Sequence, residues 1–365
     1  MEYRDMLIYL NILGLTNLQI NNVEKYIVEN DLNIEVLFNL ENNDLTKKYI
    51  STSAYEKIKK GNVDILSNVK ENAEKNNIEI LTYKDKDFPE RLTPIENSPK
   101  VIYTKGKIKI EDNISIGVVG SRKHTDYGEM VVNYFVDELV KLGVTIVSGM
   151  AYGIDTIAHK RALKNNGRTI AVLGNGVDVI YPIKNSKLYM NIINNGAVVS
   201  EYPLGTQSLP YNFPARNRII SGLSLGVIIA EARDNSGSLI TARVAAEQGK
   251  EVFAVPGNIN SLYSEGTNKL IRDGATPLMN IDDILLGITE IQNNANVKKE
   301  KEKLVVNLTN EEKIIYDLIL SGIKDINNIC IYSDFDISYL NSILTILELK
   351  ELIESKNNKD FYILD

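Results

Sequence analysis

Between residues 114 and 280 short apolar runs alternate with longer amphipathic ones, and this alternation limits the fold more than any other feature. The apolar runs ISIGVVG, VTIVSG, TIAVLG, AVVSE, LGVIIAEA and EVFAVPG are rich in β-branched residues, as strands buried on both faces must be. The stretches between them, such as YGEMVVNYFVDELVKLG, GIDTIAHKRALKNNG and SLITARVAAEQGK, carry helical spacing. Strand and helix in turn predict an α/β fold with a Rossmann-like parallel sheet core and helices on both sides.

Different patterns flank this core. Residues 1–80 read as short helices punctuated by Asn, Gly and Ser, a small helical N-terminal domain of SAM or helix-hairpin-helix-like type. Its plain role is packing; the alternative is contact with nucleic acid. Residues 81–287 make an extended Rossmann-like domain, entered through EILTYKDKDFPERLTPIENSPKVIYTKG, an extended connection whose prolines stop any long helix. Residues 288–306 are polar, charged and unpatterned, which predicts a linker. From 307 to 365 a capping box at Thr309 and Glu312 opens three helical stretches, and ESKNNKDFYILD follows as a β-wing, together a C-terminal winged-helix domain. The recognition helix of such a domain falls at 336–349 and contains no Lys or Arg. Binding a phosphate backbone needs positive charge, so this helix is expected to pack or to contact protein.

Composition narrows the function. The net charge is −7, yet residues 1–114 hold 16 Lys+Arg against 19 Asp+Glu, residues 115–280 hold 16 against 13, and residues 281–365 hold 9 against 16. Only the middle is positive, so an anion would be met there. The single cysteine, Cys330, permits no internal disulfide, and with two histidines the chain offers no metal cluster and no cofactor is implied. The start, MEYRDMLIYLNILG, lacks a basic region ahead of an apolar one, and no apolar run reaches membrane-spanning length. A cytoplasmic protein is expected.

Ligands of open parallel sheets gather at the carboxyl ends of the strands. Here those ends carry GSRKHTDYG, SGMAYGID, LGNGVDVIYP and EARDNSGSLITA, glycine-rich turns leading into helices. Such turns let backbone approach an anion, and each helix start adds about half a positive charge. Neither a full GxGxxG nor a GxxxxGK[ST] is present, so dinucleotide binding and NTP hydrolysis are disfavoured. Ser121 and Ser148 have no base nearby in sequence, and His159 falls inside a helix. Asp155 reads either as a helix-start charge or as an acid–base group; Glu201 and Glu231 read either as partners of Arg216 or Arg218 or as acid–base groups. Arg122, just past the first strand, can reach over the rim with a planar fork that matches phosphate. Phe213, in the NFP stretch read as a loop, can stack on an unpaired base. A buried ion pair for Arg122 and a core position for Phe213 are the alternatives. Rim, guanidinium and ring together suit a single strand better than a duplex.

The motifs GVVGSR, SGMAYGIDTIAH, AVLGNGVDVIYP, SEYPLG, NFPARNRIISGLS, NSGSLITARVAAEQGKEVFAVPG and GTNKLIRDGA, in this order, resemble the DNA-processing protein family DprA, also called Smf. The resemblance implies a non-enzymatic single-stranded DNA-binding protein that protects strands and loads the RecA recombinase onto them in natural transformation and recombination. It implies a homodimer joined through the Rossmann-like domains, with 262–275 as the matching surface. It also implies a phosphate pocket made by Gly120, Ser121 and Arg122 with Ser148 and Gly149, joined by Phe213, Arg216, Asn217 and Arg218. One departure stands out: Pro210 occupies a position where many members carry a DNA-contacting Lys, and Lys184 or Lys187 are the cations available instead. Two rivals remain. One is a Rossmann-like nucleotide hydrolase resembling the lysine-decarboxylase-like phosphoribohydrolases, whose PGGxGTxxE motif has no full match here. The other is an adaptor whose acidic tail binds a partner.

Overall fold

The computed structural model describes residues 1–62, 64–357 and 359–364. The chain divides into two compact units, Met1–Ile291 and Gln292–Asp365. The first opens with α1 (Tyr3–Ile12), α2 (Asn17–Glu29), α3 (Asp44–Tyr49), α4 (Thr52–Lys59) and α5 (Asp64–Lys75). Polar residues set the starts: Thr16 with Gln19 forms a capping box, and Asn43 and Ser51 each accept a first-turn amide. Met6–Leu10 of α1 are fully buried in a cluster that also holds Ile78, Ile80, Val101 and Tyr103. Polar ties run the same way: Tyr103 donates to Asn11 Oδ1 at 2.8 Å, and Lys100 Nζ lies 3.1 Å from Glu24 Oε2. These helices and the sheet edge share one core.

Strands β1 (Ile78–Thr82), β2 (Val101–Gly106), β3 (Ser115–Val119), β4 (Thr145–Ser148), β5 (Thr169–Val172), β6 (Gly196–Ser200), β7 (Gly226–Ile229), β8 (Glu251–Ala254) and β9 (Thr276–Pro277) form one sheet in the order β1-β2-β6-β5-β4-β3-β7-β8-β9. Every neighbour from β6 to β9 pairs in parallel, and the six apolar runs are β3 to β8. Between them lie α6 (Asp126–Lys141), α7 (Ile154–Lys164), α8 (Ser186–Asn195), α9 (Asn212–Leu223), α10 (Gly237–Glu247), α11 (Glu265–Arg272) and, after β9, α12 (Ile281–Gly287). Alternation along the strands assigns the faces. Ile116, Val118 and Ile146 meet α6, α7 and α12, whereas Val119, Val147, Val227 and Ile229 meet α9 and α10.

The entry segment differs from the sequence expectation. It is not a mere connection: β1 and β2 pair antiparallel, and β2 adds antiparallel to β6. Pro89, Pro94 and Pro99 all fall between the two strands, where no ladder amide is needed. Residues read as a linker form α13 (Thr289–Val306). That stretch has no Pro or Gly, and its many Lys and Glu are good helix formers, so it needs no apolar stripe to be helical.

In the second unit, α14 (Asn310–Leu320), α15 (Ile326–Ser333) and α16 (Ile337–Leu349) precede an antiparallel hairpin, β10 (Ile353–Lys356) and β11 (Asp360–Ile363). Ile315, Ile329, Leu340, Leu347 and Phe361 form its core, and the Thr309–Glu312 capping box is present. Asn358 and Asp365, within the wing stretch, lie outside the described residues. Among the described residues no helix is long and apolar enough to cross a membrane.

Candidate nucleic-acid interface

Chain order places β4, β5 and β6 on one side of β3 and places β7 and β8 on the other. The turns after β3 and β7 therefore diverge, and open α/β sheets bind ligands in the crevice left at such a point. A cleft of about 670 Å3 lies there, walled by the β3 turn (Gly120–Lys123), the β7 turn (Arg233–Ser236) and the first turns of α9 and α10.

NFPARNR is not a loop. Asn212 begins α9, so Phe213 and Pro214 stand in its first turn, where a proline's missing amide costs no helical hydrogen bond. Placed there, Phe213 is half-buried at the cleft edge, its ring 5.6 Å from that of Tyr181. Arg122 is exposed, with its guanidinium carbon 5.5 Å from the Phe213 ring centroid. Among the described residues no carboxylate forms an ion pair with Arg122 or Lys123. An exposed guanidinium on an aromatic edge, in no ion pair, is set to meet an anion.

Arg216 is held differently. Only 3% exposed, it donates from Nη1 to the carbonyls of Gly149, at 2.8 Å, and Val172, tying together the carboxyl ends of β4 and β5. Burial lowers its pKa to about 10, so it keeps its charge on the cleft floor. Asn217 accepts from Arg216 Nε at 3.2 Å and donates to the Gly237 carbonyl at 3.3 Å, joining α9 to the start of α10. Asp155, in the first turn of α7, accepts the amides of Gly149 at 3.2 Å and Ala151 at 3.4 Å. Burial pushes its carboxyl up to about 6, although Arg216 opposes that rise.

Several sequence-derived site residues play other parts. Ser148 is fully buried and donates to the Val118 carbonyl at 2.6 Å. Arg218 points away from the cleft and pairs with Glu201 at 2.6 Å. Glu231 meets neither arginine; its carboxylate accepts the Thr125 amide at 3.0 Å, and its carbonyl accepts the Ser121 amide at 2.8 Å. The glycine turns are also closely packed. A Cβ on Gly153, at φ +78°, would stand 2.2 Å from the Ser121 carbonyl oxygen, and one on Gly149 would stand 2.5 Å from Arg216 Nη2. The β3, β4 and α9 segments interlock through these two positions. His159 is sealed in the core, where Nδ1 faces Thr169 Oγ1 at 2.7 Å and burial lowers its pKa to about 3. Pro210 lines the cleft, whereas Lys184 and Lys187 are exposed outside it.

Two cleft cations, Lys123 and Arg233, escaped the sequence reading. Arg233 follows β7 much as Arg122 follows β3, and that equivalence of position is the signal that finds it. Its guanidinium lies 4.5 Å from the Tyr263 ring.

The model of the family described as DNA recombination-mediator protein A matches residues 79–289, which contain every wall of this cleft. The chain belongs to that family. Protein Smf of Escherichia coli K12 is 47% identical over 199 residues, 54% of this chain and 53% of that protein, so the chain spans about half of this relative's length. DNA processing protein DprA of Bacillus subtilis is 42% identical over 214 residues, 58% of this chain and 72% of that one. Among solved structures, DprA from Streptococcus pneumoniae superposes with a TM-score of 0.69 at 36% identity, covering 79% of this chain and 98% of the other. The Helicobacter pylori DNA processing protein A, solved for its single-stranded DNA binding mode, gives 0.51 at 33% identity over 60% and 94% of the two chains. The family match runs from β1 to α13 and leaves α1–α5 outside it.

Proposed function

We propose that this chain binds single-stranded DNA in the cleft at the sheet's switch point, shields it, and loads RecA onto it during recombination and natural transformation, breaking no bond. The observation that carries the proposal is Arg122: exposed, in no ion pair among the described residues, and lying against Phe213 at the mouth of the cleft. Its fork suits a phosphate and the ring suits an unpaired base, a pairing that a duplex with stacked bases cannot use. In this reading Arg216 supplies a fixed positive charge from the floor, Asn217 sets the spacing of α9 and α10, and Gly120, Ser121 and Gly149 let the turns close. Ser148 and Arg218 act from behind, by holding strands and helix in place. Bond-breaking chemistry is not needed, since the Ser121 hydroxyl donates to the Lys123 carbonyl and His159 is sealed away. A homodimer joined through the Rossmann-like unit, with 262–275 in its surface, completes the reading. The second unit serves as a winged helix turned to protein contact: its α16 carries no Lys or Arg and exposes Tyr339, Ile346 and Leu349.

Gel shifts of single- and double-stranded oligonucleotides across a salt series test this. Preference for the single strand is expected. Arg122→Ala should weaken binding and reduce the log–log salt slope by about 0.7, one phosphate contact on a single strand. An unchanged slope and affinity would remove the proposal's support.

A further inference from the structure

Beside the main cleft a shallow dent shares Arg122, Ala151 and Phe213 with it and is otherwise lined by Gly149, Met150, Tyr152, Tyr181 and Pro182. Two of its walls are aromatic and open to water: Tyr152 is 44% exposed and Tyr181 is 43% exposed. Among the described residues neither hydroxyl is engaged in a hydrogen bond, so internal polar ties do not account for where these rings stand. Their supports, by contrast, are fixed. Met150 sits at φ 61°, a conformation uncommon for a residue other than glycine, and its carbonyl accepts Asn185 Nδ2 at 3.1 Å. Asn185 also donates to Thr156 Oγ1 at 2.9 Å, and Thr156 donates to the Ala151 carbonyl at 2.6 Å. The turn that carries Tyr152 is therefore held from both sides, and Tyr181 leans on Phe213.

We propose that Tyr152 and Tyr181 form a second base-stacking subsite, continuous with the Phe213–Arg122 edge, for the nucleotide next to the one held at Phe213. This rests on the single-strand reading above and adds the route of the chain. The strand crosses the sheet at its carboxyl ends, from Arg233 after β7, past Lys123 and Arg122 after β3, to Tyr152 after β4 and Tyr181 after β5. Lys184 and Lys187, exposed and in no ion pair among the described residues, lie on the segment that follows Tyr181. The route begins with cations and passes onto rings, and Arg122 and Phe213 stand together where the two meet.

Full-length protein is titrated with a labelled oligothymidylate of about 16 nucleotides and with an abasic oligomer of equal length, which keeps the phosphates and lacks the bases. The quantity read is the ratio of the two affinities, together with the salt slope. Tyr181→Ala is expected to cut that ratio about tenfold with the slope unchanged, Tyr152→Ala to cut it in the same direction, and Tyr181→Phe to leave it as in the parent. Arg122→Ala is expected to lower the slope and leave the ratio. A ratio unmoved by Tyr181→Ala and Tyr152→Ala, while Phe213→Ala lowers it, overturns the second subsite and leaves single-strand binding standing. Tyr181→Phe losing as much as Tyr181→Ala also overturns it, since the hydroxyl and not the ring would then matter. Arg122→Ala without effect on affinity or slope removes the underlying reading itself.

Discussion

Asp155 has four neighbours that decide its behaviour: the guanidinium of Arg216, the amides of Ala151 and Gly149 and, most weakly, the guanidinium of Arg122. These favour the carboxylate, burial opposes it more strongly, and the carboxyl titrates at about 6. Its unfolded value is about 3.9, so the folded state holds the proton more tightly. The associated stability is fully present below about 4 and is lost as pH rises through about 6. A bound phosphate chain also favours the protonated form, so single-strand affinity is expected to rise as pH falls through this range. Asp155→Asn should flatten the profile of affinity against pH. Gly153 shows sterics at the same scale. Gly153→Ala adds a Cβ 2.2 Å from the Ser121 carbonyl oxygen at a positive φ, and urea melts should report a loss of about 1–3 kcal/mol or more.

At the scale of the element, α9 is the piece on which the cleft depends. Phe213 looks into it from the first turn, Arg216 braces β4 and β5 one turn on, and Arg218 meets Glu201 from the opposite side. Both members of the last pair are about one-tenth exposed, and Glu201 Oε2 also accepts Asn17 Nδ2 from α2 at 3.0 Å. Arg218→Ala strands a buried carboxylate and should cost about 3–5 kcal/mol in a denaturant melt, while the salt slope of DNA binding in the folded fraction stays as in the parent. The sequence showed the cluster of two guanidiniums and a carboxamide. It did not show that successive helical positions send them to different sides, because Pro214 suggested a loop. The same limit hid β1 and β2: their prolines announced a break, and only pairing with β6 revealed strands around it.

For the whole molecule, charge divides along the chain. Residues 115–280 hold more Lys+Arg than Asp+Glu, 16 to 13, and contain the cleft, while residues 281–365 hold 9 to 16. Removing residues 307–365 should leave single-strand affinity within about twofold, measured by anisotropy, and should impair RecA loading if the second unit is a protein contact. The six parallel strands, the helices between them, the capping box at Thr309 and the presence of Arg122 just past a strand end all followed from local patterns, because periodicity and turn chemistry are properties of neighbouring residues. Which groups share the cleft did not. Ser148, Arg218 and His159 stand near cleft residues in sequence and are buried in the fold; Arg233 and Tyr181 follow different strands, β7 and β5, and line the open edge. Strand order and helix phase decide that, and both are set by packing between segments far apart in the chain.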